Sequence, residues 1–125
     1  MDTRRKILSS IDAGAVVPRL VAEQPGVKLV HGVFDPLLSW HISRLRQVAG
    51  DGGRVVVLLS RPENPILEAR ARAELVAALQ MVAVVVLPPP GPRPGWLHGL
   101  EIVELDDAGL TQRLIERVRE RHKDE

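Results

Sequence analysis

Two continuous apolar runs constrain the fold of this chain more than any other feature of its sequence. Residues 54–59 read Arg-Val-Val-Val-Leu-Leu, and residues 82–87 read Val-Ala-Val-Val-Val-Leu. Runs of β-branched residues without polar alternation are typical of strands that are buried on both faces, as in a parallel sheet. Because a helical pattern separates the two runs, the sequence predicts parallel strands joined by a helix.

Weaker patterns on either side continue this alternation of strands and helices. Short strands are predicted at residues 28–32 and 101–105, and the second is expected near a sheet edge because it alternates polar and apolar residues. One or two short helices are predicted over Thr3 to Ile11 and Val17 to Gln24. Further helices are predicted from an N-cap at Ser39 to Gly50, from Leu67 to Gln80, and from Asp107 to about His122. The expected fold class is α/β: a three-layer domain with a parallel sheet of about four or five strands.

Helical spacing also predicts which side chains face the core. The helix over residues 67–80 is expected to bury Leu67, Ala71, Leu75, Ala78 and Leu79. The last helix is expected to bury Leu110, Leu114, Ile115 and Val118. Pro18 is expected in the first turn of the second N-terminal helix, where its missing N–H costs nothing.

The chain is expected to form one domain over residues 1–125. It divides into an N-terminal helical segment (1–26), a core region (28–87), a proline-rich connector (88–95), and a last strand and helix (101–122). The prolines of the connector fix an extended backbone and supply no amide donors, so a surface segment is predicted there. It is too short to separate two domains.

The composition argues against several classes of protein. No apolar run reaches the roughly 18 residues that a bilayer-spanning helix needs, and no signal core follows the first six residues, so a cytoplasmic location and no membrane partner are expected. Seventeen basic and 16 acidic residues, with two tryptophans and one phenylalanine, disfavour a nucleic-acid partner. The chain has no cysteine and no other cluster with metal-ligand spacing, so no protein-held metal is expected.

The loop that follows residues 28–32 is the first candidate for a binding site, because open parallel sheets bind ligands beyond the carboxyl ends of their strands. Gly32 at the strand exit lets the backbone approach a phosphate, and the start of the next helix supplies free N–H groups. His41 adds a side chain that stabilises negative charge. An anion is therefore expected against the backbone of Val33 or Phe34 and the ring of His41.

Several short segments resemble one known family. Residues 32–41, Gly-Val-Phe-Asp-Pro-Leu-Leu-Ser-Trp-His, resemble the GxFDPxHxGH signature of the cytidylyltransferase-like nucleotidyltransferases. Residues 61–65 (RPENP) and 72–79 (RAELVAAL) are similar to the RPxNP and RAExLAAL segments of the ADP-heptose synthase branch, and residues 109–119 are more weakly similar to the ISSTxIIxxIR helix start. The resemblance covers roughly residues 28–87 and implies a Rossmann-like nucleotidyltransferase fold.

The resemblance also implies an activity and a set of site residues. A nucleotidyl group would pass from a nucleoside triphosphate, CTP or ATP with Mg²⁺, to a small phosphorylated acceptor. A second copy of the chain, forming a homodimer, is left open as a further partner. By resemblance, His41 and Asp35 are the expected catalytic residues. The expected nucleotide- and phosphate-binding residues are Gly32, Val33, Phe34, Arg61, Arg72 and Thr111.

Two working positions of the family signature are changed in this chain. Leu38 stands where the family has its first histidine, and Trp40 stands where the family has a glycine that leaves room for the nucleotide. Leucine donates no hydrogen bond to a developing phosphorane, and loss of one charge-stabilising donor typically lowers the rate by about 10²–10³-fold. Weak nucleotidyl transfer is therefore the expected activity, with His41 as the retained phosphate ligand.

Two other functions stay open: a catalytically inactive relative that binds a nucleotide or a protein partner through the same cleft, and a purely structural subunit. Simpler interpretations of single residues also stay open. Asp35 before a proline is an ordinary turn residue, and His41 at a helix start can simply pack or cap. Trp40 is either a plug in the nucleotide site or a core or dimer-interface residue, and Arg72 belongs to a charged helix pattern that is commonly solvated. The ring of His31, at a strand end, is expected to bond to backbone.

Overall fold

The structure, a computed structural model, describes residues 3–123, without the side chains of residues 111, 112, 114, 115 and 121–123. Within this part of the chain, strands and α-helices alternate, and short 3₁₀ helices lie at Thr3–Lys6 and Gly95–Leu97. The strands are β1 (Ile7–Leu8), β2 (Lys28–Gly32), β3 (Val55–Leu59), β4 (Val82–Val86) and β5 (Ile102–Glu104). The helices are α1 (Ser10–Glu23), α2 (Ser39–Ala49), α3 (Ala69–Ala77) and α4 (Ala108–Lys123). None of these helices is both long and apolar enough to cross a lipid bilayer.

The five strands lie parallel in one sheet of order β1-β4-β3-β2-β5. Strand β2 pairs with β3 from Lys28 opposite Val55 to Gly32 opposite Leu59. From β2 the chain steps in one direction to β3 and β4, whereas β5 lies on the other side of β2. The connections therefore reverse between β2 and β5, which is where open sheets have their ligand crevice. The predicted α/β fold with a parallel sheet is confirmed, and β5 forms a sheet edge as predicted.

Hydrophobic side chains pack on both faces of the sheet and make three layers. All five residues of β3 are buried, which explains its unbroken apolar sequence. The cluster on the face of α2 and α3 includes Val30, Leu45, Val55, Val57 and Val76. The cluster on the face of α1 includes Ala13, Val17, Leu29, Val56 and Leu58. The carboxyl ends of the strands point to one edge, where the loops that carry the site residues gather.

The N-terminal segment contains a strand that the sequence pattern did not predict. Residues Ile7–Leu8 pair with Val85 and Val86 of β4 and form an edge of the sheet. Ile7 is buried in the core cluster of α2 and α3. Burial of this side chain beside β4 favours the strand over the helix predicted from Thr3 to Ile11.

Of the one or two helices predicted between Thr3 and Gln24, the structure has one α-helix, α1, which begins later than predicted. Helix α1 begins at Ser10 because the side chain of Ser9 caps it, accepting a hydrogen bond from the Asp12 N–H at 3.1 Å. Pro18, predicted for a first turn, lies inside this longer helix instead.

Helix α3 is shorter than the predicted span of residues 67–80, and it buries a different face. Its buried residues are Arg72, Ala73, Val76 and Ala77. Leu75, predicted to face the core, is 47% exposed. The guanidinium of Arg72 fixes this orientation, because it reaches inward to carbonyl oxygens of two neighbouring loops.

Helix α4 follows the predicted span closely, but its inward face differs. Val118, predicted to face the core, is 48% exposed, and Leu110 is half-buried. Leu114 and Ile115, also predicted to face inward, have side chains outside those that the structure describes. Beyond the first turn, the described side chains of α4 are exposed. The polar sequence of this helix explains its position at the surface.

The orientation of α3 can be tested with two truncations. Val76→Ala removes buried methyl groups from the core and is expected to lower the free energy of unfolding by about 1–3 kcal/mol. Leu75→Ala, one residue away on the exposed face, is expected to change it by less than about 0.5 kcal/mol. Chemical denaturation followed by circular dichroism measures both values. A larger loss for Leu75→Ala than for Val76→Ala would contradict the observed face.

Candidate functional site at the carboxyl edge of the sheet

The candidate site lies at the carboxyl edge of the sheet, in the crevice between β2 and β5. The loop after β2 spans residues 33–38, and the turn after β5 spans residues 105–107. The two segments follow neighbouring parallel strands, so they meet at the same edge. Phe34 has a φ of 51°, in the left-handed region that non-glycine residues rarely adopt. In this conformation the N–H groups of Val33 and Phe34 both point at the turn after β5.

The carboxylate of Asp107 occupies the meeting point of the two segments. It accepts hydrogen bonds from the Val33 N–H, at 2.9 Å to Oδ1 and 3.0 Å to Oδ2, and from the Phe34 N–H at 2.9 Å to Oδ2. Its Oδ2 also lies 2.8 Å from Nε2 of His41. Asp107 is 1% exposed. The chain thus places its own carboxylate against the groups at which an anion was expected.

His41 is engaged through both of its ring nitrogens. The Leu38 N–H donates to Nδ1 at 3.0 Å, so Nε2 carries the proton and donates it to Asp107. Leu38 is also the N-cap of α2, one residue before the predicted cap Ser39. The imidazole is 2% exposed, and its centroid lies 4.8 Å from that of the Phe34 ring. In this conformation His41 positions Asp107 and has no free nitrogen for a ligand.

Hydrogen bonds keep Asp107 charged despite its burial. Burial by itself raises the pKa of Asp107, but the hydrogen bonds from His41, Phe34 and Val33 lower it. The combined effect of the hydrogen bonds is larger than that of burial, so the pKa of Asp107 lies below the usual value for an aspartate. The donors therefore stabilise a negative charge at this position.

Gly32 makes room for this arrangement. A Cβ added at Gly32 would lie 2.9 Å from Cε2 of Phe34 and 3.3 Å from Oδ2 of Asp107. The closest of these atoms belongs to the completely buried ring of Phe34, which cannot move aside without disturbing the core. The absence of a side chain at Gly32 therefore allows Phe34 and Asp107 to approach the end of β2. A contact between Gly32 and a phosphate stays a prediction.

Asp35 ties the loop after β2 to the segment before α3. Its carboxylate accepts hydrogen bonds from the Ile66 N–H at 2.6 Å and from the Leu67 N–H at 2.8 Å. Asp35 is 1% exposed, so its carboxylate faces the protein interior rather than solvent. These contacts agree with the interpretation of Asp35 as a loop-forming residue, and a catalytic role stays a prediction.

Arg72 ties the same loop to the end of β3. Its Nη1 donates hydrogen bonds to the carbonyl oxygens of Val33 and Ser60, each at 2.8 Å. Arg72 is 2% exposed, so its interpretation as part of a solvated helix face is wrong. Burial lowers the pKa of Arg72; Asp35 opposes this effect and Arg61 adds to it. The buried Nε has no hydrogen-bond partner among the described residues, and a phosphate contact of Arg72 stays a prediction.

The remaining candidate residues lie around the site. Arg61 is exposed in the loop after β3, at the same edge of the sheet. Trp40 is 40% exposed and meets the His41 ring edge-on, with centroids 5.3 Å apart, so its interpretation as a core residue is wrong. Leu38 is half-buried. Thr111 lies near the start of α4, and its side chain is outside those that the structure describes.

Asp107 is a residue of the candidate site that the sequence pattern did not predict, because the pattern indicates only that it begins the last helix. A usable signal was present, because Asp107 follows a predicted strand and the carboxyl ends of parallel strands share one edge. The sequence pattern does not, however, contain the order of the strands in the sheet. Only that order shows that the turn after β5 lies beside the loop after β2.

The ring of His31 is bonded to a side chain rather than to backbone as predicted. Its Nδ1 lies 2.6 Å from Oε2 of Glu104, on the neighbouring strand β5. Arg93 of the proline-rich connector also binds Glu104. Burial raises the pKa of Glu104, but the hydrogen bonds from Arg93 and His31 bring it below its usual value. This cluster fastens the connector to the paired strands β2 and β5.

Comparisons with known proteins find relatives over part of the chain. It is 34% identical over 90 residues, 65% of the chain, to a bifunctional protein HldE of Azorhizobium caulinodans, and covers 19% of that protein. It is 33% identical over 102 residues, 66% of the chain, to the bifunctional protein HldE of Gluconobacter oxydans, and covers 21% of it. It is 42% identical over 60 residues, 43% of the chain, to an FAD synthase of Halorhabdus utahensis, and covers 42% of it. The chain thus spans about a fifth of the two HldE proteins and less than half of the FAD synthase, and no family model matches it.

The fold and the site define a Rossmann-like α/β protein with an anion-holding crevice at the switch point of its sheet. The relatives place this protein more closely. HldE and FAD synthase both belong to the nucleotidyltransferase superfamily. Over part of its length the chain is similar to these relatives, in agreement with the resemblance of residues 32–41 to the nucleotidyltransferase signature.

The role of Gly32 can be tested by adding a single methyl group. Gly32→Ala is expected to lower the free energy of unfolding by about 1–3 kcal/mol, because its Cβ overpacks buried atoms. Gly26→Ala is the matched control, since a Cβ at Gly26 has no other atom within 4 Å. Chemical denaturation of both variants gives the comparison. Equal effects at the two glycines would contradict the close approach of Phe34 and Asp107 to Gly32.

The buried carboxylate predicts a specific pH dependence of stability. Since the pKa of Asp107 is lowered in the folded protein, its stabilising effect is full above the pKa of the unfolded chain. The effect is lost as the pH falls through the lower pKa of the folded state. The free energy of unfolding of the wild type is therefore expected to fall more steeply below about pH 5 than that of Asp107→Asn. At pH 7, Asp107→Asn is expected to be less stable by about 1–3 kcal/mol.

Asp106→Asn is the control for this pH profile, because Asp106 is the adjacent aspartate and is exposed. It removes the same charge without touching the site and is expected to keep the wild-type profile. Denaturation in urea at several pH values measures all three proteins. Parallel profiles for the wild type and Asp107→Asn would show that Asp107 is not held as a buried carboxylate.

Proposed function

We propose that this chain is a weak nucleotidyltransferase that binds a nucleoside triphosphate in the crevice between β2 and β5. It transfers the nucleotidyl group slowly to a small phosphorylated acceptor. A general nucleotidyltransferase-like function is supported by the homologues. The ligands are those that the resemblance to the family implies, and the low rate is inferred from Leu38 and Trp40 at two positions of the family signature.

One observation carries the proposal: three hydrogen-bond donors converge on one anionic group. The N–H groups of Val33 and Phe34 and the Nε2 of His41 all lie within 2.8–3.0 Å of carboxylate oxygens. Backbone N–H groups at a strand exit, together with an imidazole, are groups that bind phosphate. A phosphate oxygen can therefore replace a carboxylate oxygen at these donors.

In the proposed reaction, a phosphate oxygen of the acceptor attacks the α-phosphorus of the triphosphate. A new phosphorus–oxygen bond forms, the bond between the α- and β-phosphates breaks, and pyrophosphate leaves. The protein contributes positioning and charge stabilisation rather than a covalent intermediate. His41 and the N–H groups of Val33 and Phe34 would hold a phosphate oxygen, and Arg61 at the rim would attract the outer phosphates. Mg²⁺ would enter with the triphosphate, because the buried carboxylates of the site already accept N–H donors.

The low rate follows from the residues around His41. Leu38 supplies no side-chain donor where the family signature has a histidine, so one charge-stabilising contact is missing. Trp40 stands beside the His41 ring, where the signature leaves space for the nucleotide. A second candidate function, nucleotide binding without transfer, is favoured by the complete engagement of both ring nitrogens of His41.

Calorimetric titration with CTP and with ATP, each with Mg²⁺, tests the binding step. Pyrophosphate release in the presence of sugar phosphates and polyol phosphates tests the transfer step. We expect one triphosphate to bind and turnover to lie well below about 1–10 s⁻¹, which is ordinary for enzymes. Ordinary turnover would contradict the low rate, and binding without turnover would favour the second candidate. No binding to the folded protein would contradict both.

The contribution of Arg61 can be tested against a second exposed arginine. Arg61→Gln is expected to weaken nucleoside triphosphate binding about 2–5-fold, since an exposed cation contributes up to about 1 kcal/mol. Arg70→Gln is the control, because Arg70 is an exposed residue of α3 that lies 3.7 Å from Glu74. It is expected to leave the dissociation constant unchanged. The same loss in both variants would indicate a general charge effect and would contradict a role for Arg61.

A further inference from the structure

We propose that Asp107 is an internal competitor for the phosphate of the nucleotide. Its carboxylate and a phosphate group bind the same three donors in turn, and the phosphate binds only after Asp107 has left them. This inference rests on the proposed nucleotide binding. It gives the crevice a closed state, which the structure describes, and an open state in which the start of α4 has moved.

The contacts of Asp107 leave no room for a second anion at these donors. Its two oxygens accept from Val33, Phe34 and His41 at 2.8–3.0 Å, and the carboxylate is almost completely buried. A phosphate oxygen needs the same N–H groups. A phosphate beside the carboxylate would also bring two anions within a few ångströms of each other in a site that excludes water, and that repulsion is strong. The two occupants therefore exclude each other.

The donors are held in place whichever anion they bind. The loop after β2 is fixed by Arg72, which donates to the Val33 carbonyl, and by Asp35, which accepts from the segment before α3. The His41 ring is oriented by the Leu38 N–H, which leaves the Nε2 proton directed outward to an acceptor. When Asp107 leaves, these groups stay ready to donate to a phosphate oxygen.

The segment that carries Asp107 is more exposed than the loop it binds. It connects the three-residue edge strand β5 to α4, and the adjacent residues Asp106, Ala108 and Gly109 are exposed. The preceding Leu105 N–H is bonded to the His31 carbonyl at 2.8 Å, which fixes the end of β5. In the proposed open state, the backbone between Leu105 and Ala108 changes conformation and withdraws the carboxylate, while the bond from Leu105 to His31 keeps β5 paired.

Removal of the carboxylate is expected to strengthen anion binding. Calorimetry with pyrophosphate and with ATP and Mg²⁺ compares the wild type, Asp107→Asn and Asp107→Ala. The apparent dissociation constant of the wild type equals the constant of the open state divided by the fraction of molecules that are open. Because Asp107→Ala has no carboxylate at the donors, we expect its anion binding to be at least about 10-fold tighter than that of the wild type. Asp107→Asn, whose neutral amide is a weaker occupant, is expected to lie between Asp107→Ala and the wild type.

Asp106→Asn is the matched control, because it removes one negative charge from the neighbouring exposed position. Any general effect of net charge on anion binding appears in this variant as well. We expect its affinity to stay within about 2-fold of the wild type, in line with the small effect of exposed charges. An equal gain in Asp106→Asn and Asp107→Asn would overturn the competition.

A measurement on the wild-type protein keeps the inference testable if the Asp107 variants do not fold. In NMR spectra at saturating pyrophosphate, the amide resonances of Val33 and Phe34 are expected to shift together with those of Asp107 and Ala108. Binding that shifts none of the resonances of Asp107 and Ala108 would overturn the competition.

The outcomes separate this inference from the proposed function. Tighter binding in Asp107→Ala than in Asp106→Asn supports both. Binding by the wild type that is unchanged or weaker in the folded Asp107 variants overturns the competition and leaves the proposed function intact. Absence of binding in the wild type and in every folded variant overturns both.

Discussion

The buried carboxylate of Asp107 joins the two sides of the crevice between β2 and β5. The hydrogen bonds from Val33 and Phe34 to Asp107 close the sheet where its connections reverse, between β2 and β5. A buried charge is tolerated only where donors surround it, so this contact is coupled to the unusual backbone of Phe34 and to the tautomer of His41. The conformation of the loop and its capacity to hold an anion thus have one physical origin.

Other buried polar groups make the loop after β2 rigid from its opposite side. Arg72 holds the Val33 carbonyl against the end of β3, and Asp35 holds the segment before α3. Buried charges that are hydrogen-bonded in this way specify one arrangement of the loops, because a change would leave a buried charge without partners. The hydrogen-bond donors of the site are therefore fixed in position, whereas Asp107, which they bind, lies on the short and largely exposed connection between β5 and α4. The proposed competition between Asp107 and a phosphate depends on this division.

Strands β3 and β4 could be predicted because each is an uninterrupted run of apolar residues, which is typical of a strand buried on both faces. Strand β1 could not, because two residues carry no periodicity and its pairing with β4 is a long-range contact. The buried face of α3 was also missed, since the arginine at its centre is charged and periodicity assigns such residues to solvent. Tertiary contacts of Arg72 decide that orientation.

The candidate site was predictable in its donors but not in its occupant. Val33, Phe34 and His41 lie close together in the sequence, so a strand exit followed by a helix start places them at one point. Asp107 comes 66 residues after His41 and 74 after Val33. Its approach depends on the position of β5 beside β2, which no local pattern contains. The signature motif therefore indicated the class of protein, whereas the closed state of the site required the three-dimensional structure.

The central claim is that the Asp107 carboxylate, in the ligand-free protein, is bound to the loop after β2. An NMR titration of the Asp107 side-chain carbon, with the Val33 and Phe34 amide protons followed in the same samples, tests it most directly. We predict that all three signals change together, with a midpoint below the usual pKa of an aspartate. A midpoint at the usual value, with the two amide signals unaffected, would contradict the claim.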